Sequence, residues 1–402
     1  MKTQRMAAVA AQLSIVAMFI VVAATGLSGC GDKAEQDALR LKTRLWSQVP
    51  GWKTDALVEA VPAMLKSCNL YLKRGEKQPV HKDNPAFGVY GDWAPFCNAL
   101  ETTEVNEANV RALFEKYLVP YQVRTPGLFG RKQGVFTGYY EPKMEGSFVK
   151  TDEYQTPLYR KPDDLLVADL EVFSPDYKGK RLVARLSGNR LLPYHSRSEI
   201  MTGALPVKDA IIWLKDPVDA FFLHIQGSGR VTLPNGDNIF VGYAGANGHK
   251  YVAIGRYMAD QGYLELENVS MQTIREWLTN NPDVMNEVFE QNPSYVFFTI
   301  KPDGPYGSQG VILTPERSLA VDRSKLPLGV PAFVNTTRTS NEVPFQKLMV
   351  AQDTGGAIKG TIRGDIFYGH TEEAAHDAGL QNSLGTLFVL LPKDISDTTE
   401  NN

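Results

Sequence analysis

The sequence predicts a mainly β chain with peripheral helices, its last third forming a small barrel or sandwich. Three observations carry that reading. Between residues 311 and 391 short apolar segments recur: VILT at 311–314, LAVD at 319–322, AFVN at 332–335, LMVAQ at 348–352, DIFYG at 365–369 and LFVLLP at 387–392. Turn residues such as Pro327-Leu328-Gly329 separate them, a cadence that suits packed short strands rather than βαβ units. Asn235-Gly236 lies between the β-prone stretches 230–233 and 238–241, which is a strong hairpin signal. Helical spacing of apolar residues is confined to one stretch near the N-terminus and another in the middle.

In chain order, the first segment is a leader. Lys2 and Arg5 precede an apolar run over 6–27 whose one strongly polar member is Gln12, and Leu27-Ser28-Gly29-Cys30 closes it. Small residues ahead of a cysteine at that place form a bacterial lipoprotein processing site, so residues 1–29 read as a signal peptide and Cys30 as the lipidated first residue. The run is also long enough for an uncleaved membrane anchor. Gly26, Ser28 and Gly29 crowding the cysteine favour the lipoprotein. Gly31 rather than Asp after Cys30 points to the periplasmic face of the outer membrane by the usual sorting rule.

Residues 30–53 are polar and charged and read as a lipid-anchored tether or a peripheral helix. A helix is expected over 55–73 from Leu57, Val58, Val61, Leu65 and Leu70, with Gly75 as its stop, and another over 106–117 from Val110, Leu113, Phe114 and Tyr117. Residues 134–140 are β-prone, and AFFLHI at 220–225 reads as a buried strand. Helices return at 251–261, 270–279 and 282–291, the last with Asn281 as cap and Pro282 at its first position. Residues 394–402 read as a disordered polar tail.

The 402 residues are too many for one ordinary core and comfortable for two domains, even without the leader. The net charge of −3, more acidic still once Lys2 and Arg5 are removed, provides no basic field for nucleic acid. The 17 Tyr, 18 Phe and 5 Trp suit carbohydrate stacking but are explained mainly by β-rich cores. With Cys30 lipidated, Cys68 and Cys97 remain, and an even pair in an oxidising compartment reads as one disulfide; two buried thiols are the alternative.

The densest chemistry lies in Ala351-Gln352-Asp353-Thr354-Gly355-Gly356, running on to Gly364-Asp365-Ile366-Phe367-Tyr368-Gly369. Its glycines suggest close backbone approach and turns with positive φ. Asp353 precedes Thr-Gly-Gly, where nearby N–H groups would keep its carboxylate ionised. Asp365 abuts Ile366, Phe367 and Tyr368, and such an apolar wall would raise its pKa and hold a proton for donation. The bland reading makes Asp353 a turn former and Asp365 a surface strand residue. Asp353-Thr354-Gly355 matches the short aspartic-protease motif, but single-copy proteases of that kind are much smaller chains. Lys359 precedes Gly360 instead of following it, which removes the phosphate-loop reading. The six histidines form no HExxH, and no Gly-x-Ser-x-Gly elbow occurs.

An ordered set of segments then carries a resemblance. Phe136-Thr137-Gly138-Tyr139-Tyr140-Glu141-Pro142, Gln226-Gly227-Ser228-Gly229, and Gly242-Tyr243-Ala244-Gly245 continuing to Asn247-Gly248-His249 come first. Gln291-Asn292-Pro293-Ser294-Tyr295, Pro315-Glu316-Arg317-Ser318 and the 351–369 segment follow. Over roughly residues 85–392 the chain resembles the membrane-bound lytic murein transglycosylase A family.

The resemblance implies a double-psi β-barrel split between 54–141 and 304–393. A second β-rich domain is inserted at 142–303, with a groove between the two. It implies cleavage of the β-1,4 bond between N-acetylmuramic acid and N-acetylglucosamine without water, leaving 1,6-anhydro ends and requiring no metal or organic cofactor. Asp365 would be the single acid and base, with Asp353 shaping the loop or stabilising positive charge at C1. Thr137, Tyr139, Tyr140, Gln226, Ser228, Gly355 and Gly356 would contact the glycan; core packing is an equal reading for the tyrosines. Peptidoglycan strands are the implied partner, the membrane is met through Cys30, and cell-wall synthases are candidate protein partners. A lipoprotein that docks on peptidoglycan without cutting it is the alternative. The segment Pro193-Tyr194-His195-Ser196-Arg197 departs from the family's usual aromatic-threonine version.

Overall fold

A computed structural model describes residues 39–127 and 130–393. The lipoprotein site at Cys30 and the tail beyond 393 lie outside the described residues. Among the described residues, seventeen strands form three sheets. The first sheet gathers β1 (Arg40–Thr43), β2 (Leu118–Arg124) and β3 (Gly134–Tyr139) from before a long intervening segment. That segment contributes β4 (Lys143–Ser147), β5 (Thr156–Tyr159), β6 (Leu166–Asp169), β7 (Arg181–Ser187), β8 (Arg190–Pro193), β9 (Ala210–Leu214), β10 (Ser228–Thr232), β11 (Asn238–Ala246) and β12 (Val296–Lys301). After it the chain returns to the first sheet with β13 (Ser318–Val321), β14 (Pro331–Thr337), β15 (Pro344–Asp353), β16 (Gly364–Phe367) and β17 (Asn382–Pro392).

Six of these strands close on themselves in the order β17-β14-β15-β13-β16-β3, because β3 also pairs with β17. Two of the pairings are parallel, β13 with β15 and β16 with β3. The fold is therefore mainly β, a double-psi barrel with a second β-rich body built from the intervening segment. The second body holds a six-stranded sheet, β12-β11-β10-β4-β9-β5, and the three-stranded β6-β7-β8.

The continuous apolar runs in β15 and β17 follow from burial on both faces of a strand, since alternate side chains point to opposite sides. Leu387, Val389 and Leu391 enter the barrel interior with Val334, Met349, Ala351, Phe136 and Ile366. Phe388 and Leu390 point outward with Phe333, Leu348 and Val350, onto a helical layer that includes Trp52, Met64, Phe96 and Phe114. Each such side chain stabilises the fold by roughly 1.5–3 kcal/mol when fully buried. The helices Val61–Tyr71 and Tyr90–Thr102 in this layer are joined by the Cys68–Cys97 disulfide. Arg317, 1 % exposed, ties the layer to the barrel: its guanidinium donates to both carboxylate oxygens of Asp55 at 2.9 Å and to the Leu348 and Ala56 carbonyls.

Several local expectations differ from the structure. AFFLHI at 220–225 belongs to the helix Pro217–Gln226, because its apolar residues are buried on more than one side by two core clusters, and such a run carries no period. VILT at 311–314 is no strand; it makes one isolated bridge, Tyr306 with Ile312, and the Ile312 carbonyl accepts from Lys66 Nζ at 2.8 Å. Asn281 does not cap the helix Pro282–Glu290: its amide donates back to the Trp277 carbonyl at 2.7 Å. Residues 40–53 are no tether, since β1 pairs with β2 and Trp52 is 1 % exposed. The Asn-Gly hairpin forms between β10 and β11, with Gly236 at φ 88°, a conformation that favours glycine.

Candidate active site

Asp365 sits in β16, opposite Thr137 of β3 on one side and Ala320 of β13 on the other. Asp353 is the last residue of β15, and a register shift in the β13–β15 ladder sets it opposite the same Ala320. The two aspartates thus flank one residue from neighbouring strands, about 10 Å apart at Cα by the ordinary strand spacing.

Their surroundings differ. Asp353 accepts four hydrogen bonds. Its Oδ1 takes Ser308 N–H, Ser308 O–H and Thr354 N–H, each at 2.8 Å, and its Oδ2 takes Tyr139 O–H at 2.9 Å. Asp365 Oδ1 accepts from Thr137 Oγ1 at 2.5 Å. Thr137 Oγ1 in turn accepts from Arg363 Nη2 at 2.7 Å. Phe367, two residues along the strand and so on Asp365's side, packs against Tyr139 with ring centroids 5.2 Å apart.

Burial pushes the Asp365 carboxyl up to about 6; the Thr137 hydrogen bond and the Arg363 charge oppose this, and the charge of Asp353 adds to it. Of the apolar neighbours expected to wall Asp365, Ile366 and Tyr368 lie in the barrel interior, and Phe367 stays on its side of the strand, packed on Tyr139. Burial also raises the Asp353 carboxyl, against the pull of its hydrogen bonds from Ser308, Thr354 and Tyr139. The backbone donors expected for its carboxylate are present in Thr354 and Ser308, but desolvation outweighs their pull. Tyr139, desolvated and facing both carboxylates, is held well above its usual value, so it stays a donor.

The other predicted residues divide. Tyr140 is half-buried against the barrel core, and it feels the charges of Arg275 and Asp219 in the second body. Gln226 ends the helix Pro217–Gln226; its Nε2 faces Met271 Sδ at 4.0 Å and its buried Oε1 has no partner. Ser228 begins β10 opposite Gly242. Gly355 and Gly356 follow Asp353, but neither has a positive φ; in that stretch the left-handed positions are Gly360 and Gly369. A side chain at Gly355 would meet Ile358, whereas Gly356 faces open space. The helix Met271–Asn280 reaches the barrel, Gln272 Nε2 donating to the Ala375 carbonyl at 3.4 Å.

Ser308 and Arg363 escaped the sequence reading. Ser308 lies between Gly307 and Gly310, a glycine cluster that could have drawn attention, while Arg363 carried no signal. Some motif residues are structural. Asn247, 1 % exposed, donates to the His195 and Pro293 carbonyls and accepts from Tyr295 N–H. In the departing segment, Arg197 is buried against the rings of Phe221 and Tyr295, and Ser196 caps the helix Arg197–Met201. Among the described residues no cluster of His, Cys, Asp and Glu is arranged to hold a metal ion.

Fold and site together define a double-psi β-barrel protein with a partly buried carboxyl whose pKa is raised to about 6. Two family descriptions match: "MltA specific insert domain" over residues 135–299 and "3D domain" over 317–391. The membrane-bound lytic murein transglycosylase A of Escherichia coli K12 is 33 % identical over 318 residues, covering 77 % of this chain and 79 % of that protein. The chain belongs to the membrane-bound lytic murein transglycosylase A family. The crystal structure of the membrane-bound lytic murein transglycosylase from Agrobacterium tumefaciens superposes with a TM-score of 0.78 at 30 % identity, over 90 % of this chain and 99 % of that one. That of E. coli MltA with bound chitohexaose gives 0.64 at 28 % identity, over 84 % and 90 %.

Proposed function

We propose that this chain is a peptidoglycan lytic transglycosylase. It cleaves the β-1,4 bond between N-acetylmuramic acid and N-acetylglucosamine and leaves 1,6-anhydromuramic ends, with Asp365 as the one acid and base. The observation that carries this is the contrast between the carboxyls: Asp353 is saturated by four donors, while Asp365 has its pKa raised to about 6 and receives a single hydroxyl donor.

Asp365 gives its proton to the glycosidic oxygen as the C1–O bond breaks, and the N-acetylglucosamine side leaves with a free hydroxyl. The muramyl C6 hydroxyl then bonds to C1 and passes its proton to Asp365, which restores the acid. The usual glycosidase scheme needs two carboxyls because water or the enzyme supplies the nucleophile. An internal nucleophile needs one, and its attack is favoured by being held near C1. Asp353 places negative charge near the site and stabilises positive charge developing at C1. Tyr139, Thr137, Tyr140, Gln226, Ser228, Gly355 and Gly356 border the glycan. The family relatives are named membrane-bound, which supports membrane anchoring; Cys30 as the anchor, the periplasmic face of the outer membrane and a role in wall turnover are read from the sequence.

Mass spectrometry of purified sacculi digested by the chain lacking residues 1–30 tests this, with Asp365→Ala beside it. Anhydromuramic ends from the first protein alone are expected. Reducing ends would mean water is the nucleophile and would overturn the single-carboxyl scheme. Co-sedimentation without cleavage would replace the enzyme with a glycan-docking lipoprotein.

A further inference from the structure

We propose that Arg363 is a positioning residue: through Thr137 it fixes the acid proton on the outer oxygen, Oδ2, of Asp365. This rests on Asp365 being the acid. A threonine hydroxyl carries one proton, and a guanidinium can only donate. Arg363 Nη2 donates to Thr137 Oγ1 at 2.7 Å, so that side of the hydroxyl oxygen is occupied as an acceptor. The hydroxyl proton is then directed to Asp365 Oδ1, 2.5 Å away. Oδ1 is thereby held as an acceptor, and a proton placed there would strand the threonine hydroxyl's own hydrogen in a half-buried site. The exchangeable proton belongs on Oδ2.

The guanidinium is itself fixed from both strands it spans. Its Nη1 donates to the Val135 carbonyl of β3 at 3.3 Å and to the Gly364 carbonyl of β16 at 2.5 Å. Three acceptors from two parallel neighbours match the planar fork of arginine; the compact ammonium of lysine reaches fewer of them. Arg363 also acts on Asp365 by charge, favouring the carboxylate. The other titratable groups within electrostatic reach of Asp365 are Asp353 from β15, Tyr139 from β3 and Tyr368, which follows β16 and points into the barrel interior. None of them donates to Oδ1, so none substitutes for the relay.

The test is a double-mutant cycle of Arg363→Gln and Thr137→Val, read as kcat, KM and the pH dependence of kcat on a soluble peptidoglycan fragment of two disaccharide units. Arg363→Gln is expected to lower kcat by about 10–100-fold, the weight of a hydrogen bond to a charged group. KM should stay within about twofold, and the alkaline limb should move to higher pH because the nearby cation is gone. Thr137→Val should lower kcat similarly, and Arg363→Gln should then cost nothing more. Arg363→Lys should restore the limb but not kcat. Circular dichroism and a melting curve for each variant separate misfolding from loss of the relay. Additive losses in well-folded variants, or an unmoved limb in Arg363→Gln, would overturn the proposal and leave Asp365 as acid intact. Full activity of Asp365→Asn in the same assay would instead remove the reading on which it rests.

Discussion

Asp353 and Asp365 pair with one residue, Ala320, from opposite sides of β13. The register shift between Leu319 and Ala320 in the β13–β15 ladder creates this alignment. Tyr139 then joins the two environments, since it lies two residues from Thr137 on the same face of β3 and bonds Asp353. The site is therefore a property of strand order and register. Each of its parts can be tested separately.

The first prediction concerns pH. In the proposed mechanism Asp365 starts protonated, and its carboxyl is raised to about 6. Under first-order conditions the rate should be flat below that pH and fall about tenfold per unit above it. A profile of kcat/KM on soluble fragments, in which the limb reports the free enzyme, checks this.

The same carboxyl predicts a stability effect of definite sign. An unfolded Asp titrates near 3.9, so between about pH 4 and 6 the folded chain binds the extra proton. The favourable contribution is full below pH 4 and is lost as pH rises through 6. Asp365→Asn should therefore be more stable than the parent at pH 7.5, by up to about 3 kcal/mol, with no gain at pH 4. Urea denaturation at both pH values measures it.

Tyr139→Phe removes one donor from Asp353 and leaves the three from Ser308 and Thr354. Kinetics should show kcat lowered by about 10–100-fold, the worth of a hydrogen bond to a charged group. The melting temperature should change little, because the ring and its packing on Phe367 remain.

Cys68 and Cys97 close a loop with a sequence separation of 29 between two helices of the layer outside the barrel. Replacing both by serine should cost about 3–4 kcal/mol in the chain-entropy description. Activity per folded molecule should be unchanged. Calorimetry together with an activity assay at low temperature checks both halves.

Arg317→Met leaves Asp55 buried with a charge and without its partner. A loss of about 3–5 kcal/mol is expected. Arg317→Met combined with Asp55→Leu should recover much of it. Both are read by urea denaturation.

The sequence by itself determined the short-strand C-terminal region, the hairpin at Asn235-Gly236, two helices of the N-terminal layer but not Tyr90–Thr102, and the expectation that Asp365 differs from Asp353. Turn chemistry and apolar periodicity act over a few residues, and those features depend on little else. AFFLHI illustrates the limit: an apolar run buried on more than one side has no period, so only the packing around it decides helix or strand. The direction of the Asp353 shift was also out of reach, because desolvation depends on the whole enclosure, and it outweighed the local donors. Only the tertiary structure decided the closure of β3 onto β17, the bulge that aligns both aspartates on Ala320, and the contacts of Ser308 and Arg363. Thr137 and Asp365 stand 228 positions apart and within hydrogen-bonding distance. Such a contact is made by the register of a closed sheet, and no local pattern in a chain encodes which distant strands will lie side by side.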